Sequence, residues 1–219
     1  MKAVKVICVL AAVAMFASTA NASLILTGVI DGPLSGGTPK GVEVYVTADI
    51  PDMSIYGLGS ANNGGGSDGE EFTFPAVAAT AGDCIWLNHS STVDNLATFD
   101  DWFGFAPDYS TSAVNINGDD AIELFQNGSV IDTYGVINAP AAGQPWEYMD
   151  GWAYRVDGTG PDGTSWVQAN WTYSGANALD GETSNATAAS PMPHCSYTPE
   201  PTTIALLGFA ALGLLRRRR

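Results

Sequence analysis

Positive charge is almost missing from the middle of this 219-residue chain. Of eight Lys and Arg, Lys2 and Lys5 stand near one end and Arg216 to Arg219 at the other, leaving only Lys40 and Arg155 between. Residues 23–198 hold 22 of the 23 acidic residues, so this stretch carries a formal charge of about −20. Such a surface repels nucleic-acid phosphate and anionic lipid, so no nucleic-acid partner is expected. It attracts divalent cations and basic partners, and it also simply keeps a protein dissolved outside a cell.

Histidine is scarce as well, with His89 and His194 alone, and cysteine is limited to Cys8, Cys84 and Cys195. No zinc-ligand spacing can be made from them. Sustained helical periodicity is absent, which points away from bundles and coiled coils. A full-length membrane span is lacking too. The apolar run Thr202–Leu215 has 14 residues, about 21 Å as helix, against a hydrocarbon core of about 30 Å.

What is present begins with the two ends. Lys2 and Lys5, the apolar run Val6–Ala17 and the small residues Ala20-Asn21-Ala22 have the layout of a secretory signal peptide, with cleavage expected before Ser23. No arginine occurs there to suggest an organellar presequence. Cys8 leaves with this peptide. Cys84 and Cys195 remain in an exported chain, a setting that favours one disulfide, two free thiols being the alternative. The other end reads Pro199-Glu200-Pro201, then the apolar run, then Arg216, Arg217, Arg218 and Arg219. The prolines delay any helix to beyond the triplet, and the arginines stay on the cytoplasmic face of a membrane.

In that order, the triplet, apolar helix and basic end resemble the PEP-CTERM sorting signal of Gram-negative bacteria. The resemblance implies a transient inner-membrane hold at a transmembrane helix over 202–215. It further implies processing by an exosortase near Pro199–Pro201 and delivery to the cell envelope or extracellular matrix. A plain tail anchor is the competing reading, and the run is short for one.

Between the ends, short apolar stretches alternate with Gly, Asn, Asp and Pro, predicting an all-β domain. Strands are expected at 24–30, 42–47, 54–58, 72–74, 83–87, 148–156 and 166–173. Residues 32–40 and 59–69 read as loops. A short helix is expected over 91–102, with Val93, Leu96 and Phe99 on one face and Ser91 at its cap. Asn127-Gly128 predicts a type I′ hairpin joining 121–125 to 129–134. Beyond Gly175 the apolar period fades, and 182–198 reads as a flexible spacer. All six tryptophans lie between Trp86 and Trp171, as core or, if exposed in a row, as stacking platforms for sugar rings.

The segments 41–58, 71–87, 115–135 and 152–181 come in the order seen in bacterial lamin-tail domains, which they resemble. That family is an immunoglobulin-like β-sandwich used for binding or tethering, without shared catalytic residues. The resemblance implies such a domain over 23–181, with exopolysaccharide or envelope proteins as partners.

Motifs for chemistry are weak. Gly65-Gly66-Ser67-Asp68-Gly69 spells G-x-S-x-G, but a strand rather than a helix is expected behind it, so a hydrolase is a remote alternative. Gly158 to Gly163 spells G-x-G-x-x-G, again before a strand and flanked by Asp157 and Asp162, which would repel phosphate. No cofactor is expected, with calcium the one possibility. Its candidate ligands are Asn115, Asn117, Asp119 and Asp120, together with Glu123 and Asp132, which a two-residue turn would set opposite each other. The competing reading has these Asx residues closing turns on their own backbone. The four N-x-S/T sites, beginning with Asn88, read as chance in this composition. A carbohydrate- or calcium-dependent binding module is therefore the alternative to a plain scaffold.

Overall fold

The computed structural model describes residues 22–91 and 96–200. The expected signal helix, the helix over 202–215, Ala20, Pro201 and Arg216 to Arg219 lie outside those residues. Within them, no helix is long and apolar enough to cross a membrane.

The domain is a sandwich of two sheets with one short α-helix. Its strands are β1 Leu24–Leu34, β2 Thr38–Val46, β3 Tyr56–Ala61, β4 Phe72–Thr73, β5 Cys84–His89, β6 Tyr109–Thr111, β7 Ala121–Gln126, β8 Ser129–Tyr134, β9 Gly151–Arg155 and β10 Trp171–Tyr173. The large sheet runs β10-β9-β1-β2-β5-β6 and the small one β4-β3-β7-β8. Pairing is antiparallel except for β5 with β6.

β1, β2 and β5 are covered on both faces, which is why LILTGVI reads as an almost unbroken apolar run rather than an alternation. Leu24, Leu26, Val42, Val44 and Leu87 point toward the small sheet and meet Tyr56, Leu58, Ile122, Leu124 and Tyr134. The other face of the large sheet carries Ile25, Ile30, Trp86, Trp152 and Tyr154. It is roofed by α1 (Leu96–Phe103), through Phe99 and Trp102, and by Leu179, Met192 and Tyr197. A break in the β1–β2 register between Leu26 and Gly28 keeps both faces apolar across the strand.

Several expectations change. The loop over 32–40 shrinks to a tight turn, because β1 and β2 extend toward each other to the pair Leu34–Thr38. Gly59 to Ala61 belong to β3, not to a loop. Gly59 tolerates no side chain because the Gly69 carbonyl lies against it, so these glycines serve close backbone approach. β6 is too short and polar to have been read as a strand. The helix runs to Phe103, with 92–95 outside the described residues.

The hairpin turns at Asn127 (φ 50) and Gly128 (φ 73), as that dipeptide demands. Yet Glu123 does not face Asp132. Phe125 pairs Val130 but Leu124 pairs Asp132, so an extra residue, Ile131, bulges β8. Beyond the bulge Glu123 lies opposite Thr133, and Asp132 turns with Leu124 into the space between the sheets.

The expected spacer over 182–198 is also corrected. Asn185 exchanges two side-chain hydrogen bonds with the Met192 backbone, and Met192 and Tyr197 are buried. Isolated anchors separated by polar residues leave no periodic signal, though they fix the chain as firmly as a helix would. Met192→Ala is therefore expected to cost about 2–5 kcal/mol of stability in urea denaturation. A free spacer would give less than about 0.5 kcal/mol.

Candidate functional site

Both cations of the middle region are inside. In β9, which reads Gly-Trp-Ala-Tyr-Arg, the Arg155 side chain turns inward and is fully buried. Its Nη2 donates to both carboxylate oxygens of Asp132 at 2.8 Å, and its Nε donates to the Leu26 carbonyl. Its Nη1 lies 3.4 Å from Asp162, and its guanidinium sits 4.5 Å from the Trp171 ring centroid. Asp132 also accepts the backbone N–H groups of Leu26 and Asp162. Burial raises the Asp132 carboxyl above the ordinary carboxylate range, opposed by Arg155 and by these N–H donors. The G-x-G-x-x-G segment is the loop that brings Asp162 here. Gly160 lies against Arg155, where a Cβ would collide with the guanidinium.

Lys40 forms the second pair. Its Nζ meets Asp31 at 2.7 Å, donates to the Ile116 carbonyl and reaches the Asn117 side-chain oxygen at 3.2 Å. Burial outweighs the Lys40 charge and pushes Asp31 up to about 6.

The third cluster lies on the outer face of the large sheet. Buried Glu43 accepts from Thr27 at 2.6 Å, from the Tyr154 hydroxyl at 2.8 Å and from the Cys195 N–H at 2.7 Å. Burial pushes Glu43 up, held back by these donors. Beside it Cys84 and Cys195 are joined, with Cα atoms 5.4 Å apart and a separation of 111 positions in sequence. A loop of that length makes the bond worth about 2–4 kcal/mol. Among the described residues this is the one group of three His, Cys, Asp or Glu near enough to share an ion, and its two sulfurs are committed to each other.

Among the described residues, no three of the candidate calcium-binding acids Asp119, Asp120, Glu123 and Asp132 lie near enough to share an ion. Asp120 accepts the N–H of Asn117 at 2.8 Å, closing a local turn, and the N–H of Asn63 at 2.6 Å, a contact 57 residues away in sequence. Asn117 is shared with Lys40, and Asn115 is exposed, with its N–H donating to Ser112. Asp119 is half-buried and raised by burial and by Asp120. Glu123 is buried on the face of β7 opposite to Leu124, away from Asp132. Ser67 of the G-x-S-x-G run sits in an exposed turn, accepting from the Gly69 N–H, without the strand–elbow–helix setting a nucleophile requires. Five of the six tryptophans are buried and Trp166 is half-buried, so no exposed row of rings forms.

The two ends of the described chain share a groove. A groove of about 410 Å³ is lined by Ala22 from one end of the domain and by Pro199 and Glu200 from the other. Thr47 holds the first end, donating its hydroxyl to the Ala22 carbonyl and its N–H to that of Ser23.

Sequence reasoning singled out the sulfurs but missed Glu43, Thr27, Tyr154 and Arg155. The one signal for Arg155 was its isolation. A lone cation in a strand of a strongly acidic chain has every reason to be matched with a buried acid.

A two-sheet β-sandwich braced by buried ion pairs is the class these features define. The family described as PEP-CTERM protein-sorting motif matches residues 198–219, so the chain ends in that motif, the mark of exosortase-processed exported proteins. Comparison with curated proteins and with solved structures returned no match.

Two outcomes follow from the buried pairs. Arg155→Met strands the Asp132 charge and is expected to lower stability by about 3–5 kcal/mol in urea denaturation. Asp31 binds its proton more tightly folded, at about 6, than at its ordinary 3.8. Its contribution is thus fully present below pH 3.8 and lost as pH rises toward 6. The stability of the native chain relative to Asp31→Asn should fall by about 3 kcal/mol across that window, measured by thermal denaturation at stepped pH.

Proposed function

We propose that this protein is a non-catalytic scaffold or binding module of the cell envelope or extracellular matrix, its domain an immunoglobulin-like sandwich of the lamin-tail type. Supporting this reading is one observation above others: the chemistry-bearing side chains are used up as internal struts. Arg155, Asp132, Lys40, Asp31 and Glu43 are buried in mutual hydrogen bonds, and the tryptophan rings are mostly in the core. What faces water is acidic and carries no Lys or Arg among the described residues. That surface suits a soluble, spaced-out matrix component, whose attachment to exopolysaccharide or envelope proteins would run through basic groups or bridging divalent ions.

Fractionation of the native bacterium with mass spectrometry of the C-terminus tests the processing half of the proposal. The expected species ends near Pro199–Pro201 in the envelope or extracellular fraction. An intact Arg219 confined to the inner membrane would contradict it.

A further inference from the structure

The chain does not hang loose before the sorting triplet; it is fastened to the domain up to the residue that precedes it. Cys195 is bonded to Cys84 in β5, and its N–H donates to Glu43. The Tyr154 hydroxyl accepts the N–H groups of both Ser196 and Tyr197, at 3.0 and 3.2 Å. Tyr197 is 6% exposed, stacks edge-on against Tyr45 with centroids 5.3 Å apart, and donates its hydroxyl to the Thr159 carbonyl. Thr198 then bridges to the 157–160 turn in both directions. Its N–H donates to Asp157 at 2.8 Å and its carbonyl accepts the Gly158 N–H at 2.8 Å. Gly158 has φ +71, and Glu200 packs where its side chain would be. Pro199 and Glu200 therefore enter the groove beside Ala22 already in contact with the fold.

A protease binds its substrate as an extended strand and must free several residues on each side of the bond it cuts, so a docked segment is cut from its opened state. We propose that residues 195–200 form a clasp that gates removal of the sorting tail. Once the sandwich has folded and Cys84–Cys195 has closed, Pro199 and Glu200 are held beside the 157–160 turn, and the exosortase acts only on the fraction of molecules in which Tyr197 and Thr198 have peeled away. The clasp also places the cut at the pole from which the opposite end, at Ala22–Ser23, emerges. That is the pole turned to the membrane while the tail is inserted. This gate rests on the exosortase reading above, whereas the clasp stands on the contacts alone.

The test uses the full chain in detergent, with chymotrypsin as probe of the Tyr197–Thr198 bond and mass spectrometry as readout. The native oxidised protein should resist cleavage at that bond. Asp157→Ala, at an exposed position that leaves the core intact, should speed it about tenfold, the effect of losing one charge-assisted hydrogen bond on an opening equilibrium. Reducing the disulfide should speed it further. Equal cleavage in all three overturns the clasp. In the native host, pulse-chase of the same variant should show tail loss faster by a similar factor, and unchanged tail loss despite lost chymotrypsin protection overturns the gate. Absence of tail loss from every version, with protection intact, overturns the exosortase reading and the gate with it.

Discussion

The buried Arg155–Asp132 pair is the contact on which the sandwich depends. Arg155 belongs to the large sheet and Asp132 to the small one, so their hydrogen bonds staple one layer to the other in a place where neither charge meets water. The same two residues capture the Leu26 backbone of β1, the Asp162 N–H of the 158–163 loop and the face of Trp171. A pair of this kind adds little net stability over a hydrophobic substitute, because desolvation offsets most of the attraction. What it supplies here is alignment. Asp132 reaches Arg155 through the bulge at Ile131, so the pair fixes the register of β8.

The same logic extends outward. Lys40 and Asp31 join the β1–β2 hairpin to the Ile116–Asn117 turn, and Glu43 gathers β1, β9 and the Cys195 segment. The middle of the chain, residues 23–198, holds two cations against 22 acids and has put both inside. Its surface is left with one sign of charge, and its interior holds polar contacts that are each specific for one partner. The Cys84–Cys195 bond then carries that order into the last stretch before the sorting motif, tying export tail to folded body.

Local chemistry was legible in the sequence and long-range geometry was not. Asn127-Gly128 announced its turn because both positive-φ positions are local, and the apolar stretch over 42–47 announced a strand. The ordered triplet, apolar run and arginines announced the sorting motif for the same reason. The bulge at Ile131 has no composition of its own. It arises because a buried arginine more than twenty residues further on claims Asp132. The covering role of 182–198 was hidden too, since Met192 and Tyr197 are lone anchors and the two hydrogen bonds of Asn185 to Met192 are invisible without the fold. Calcium looked plausible only while Asn117, Asp120 and Asp132 had no known partners, and each proves to be engaged by the protein itself.

The central claim is that the folded body continues to the edge of the sorting triplet. Amide hydrogen exchange of the oxidised full chain, followed by mass spectrometry of peptides spanning 192–200, measures this directly. The account predicts that the amides of Met192, Cys195, Tyr197 and Thr198 are protected on the timescale of the β1 amides, because each donates to a named acceptor within the fold. Exchange of those amides at the rate of an unstructured peptide, with β1 still protected, would contradict it.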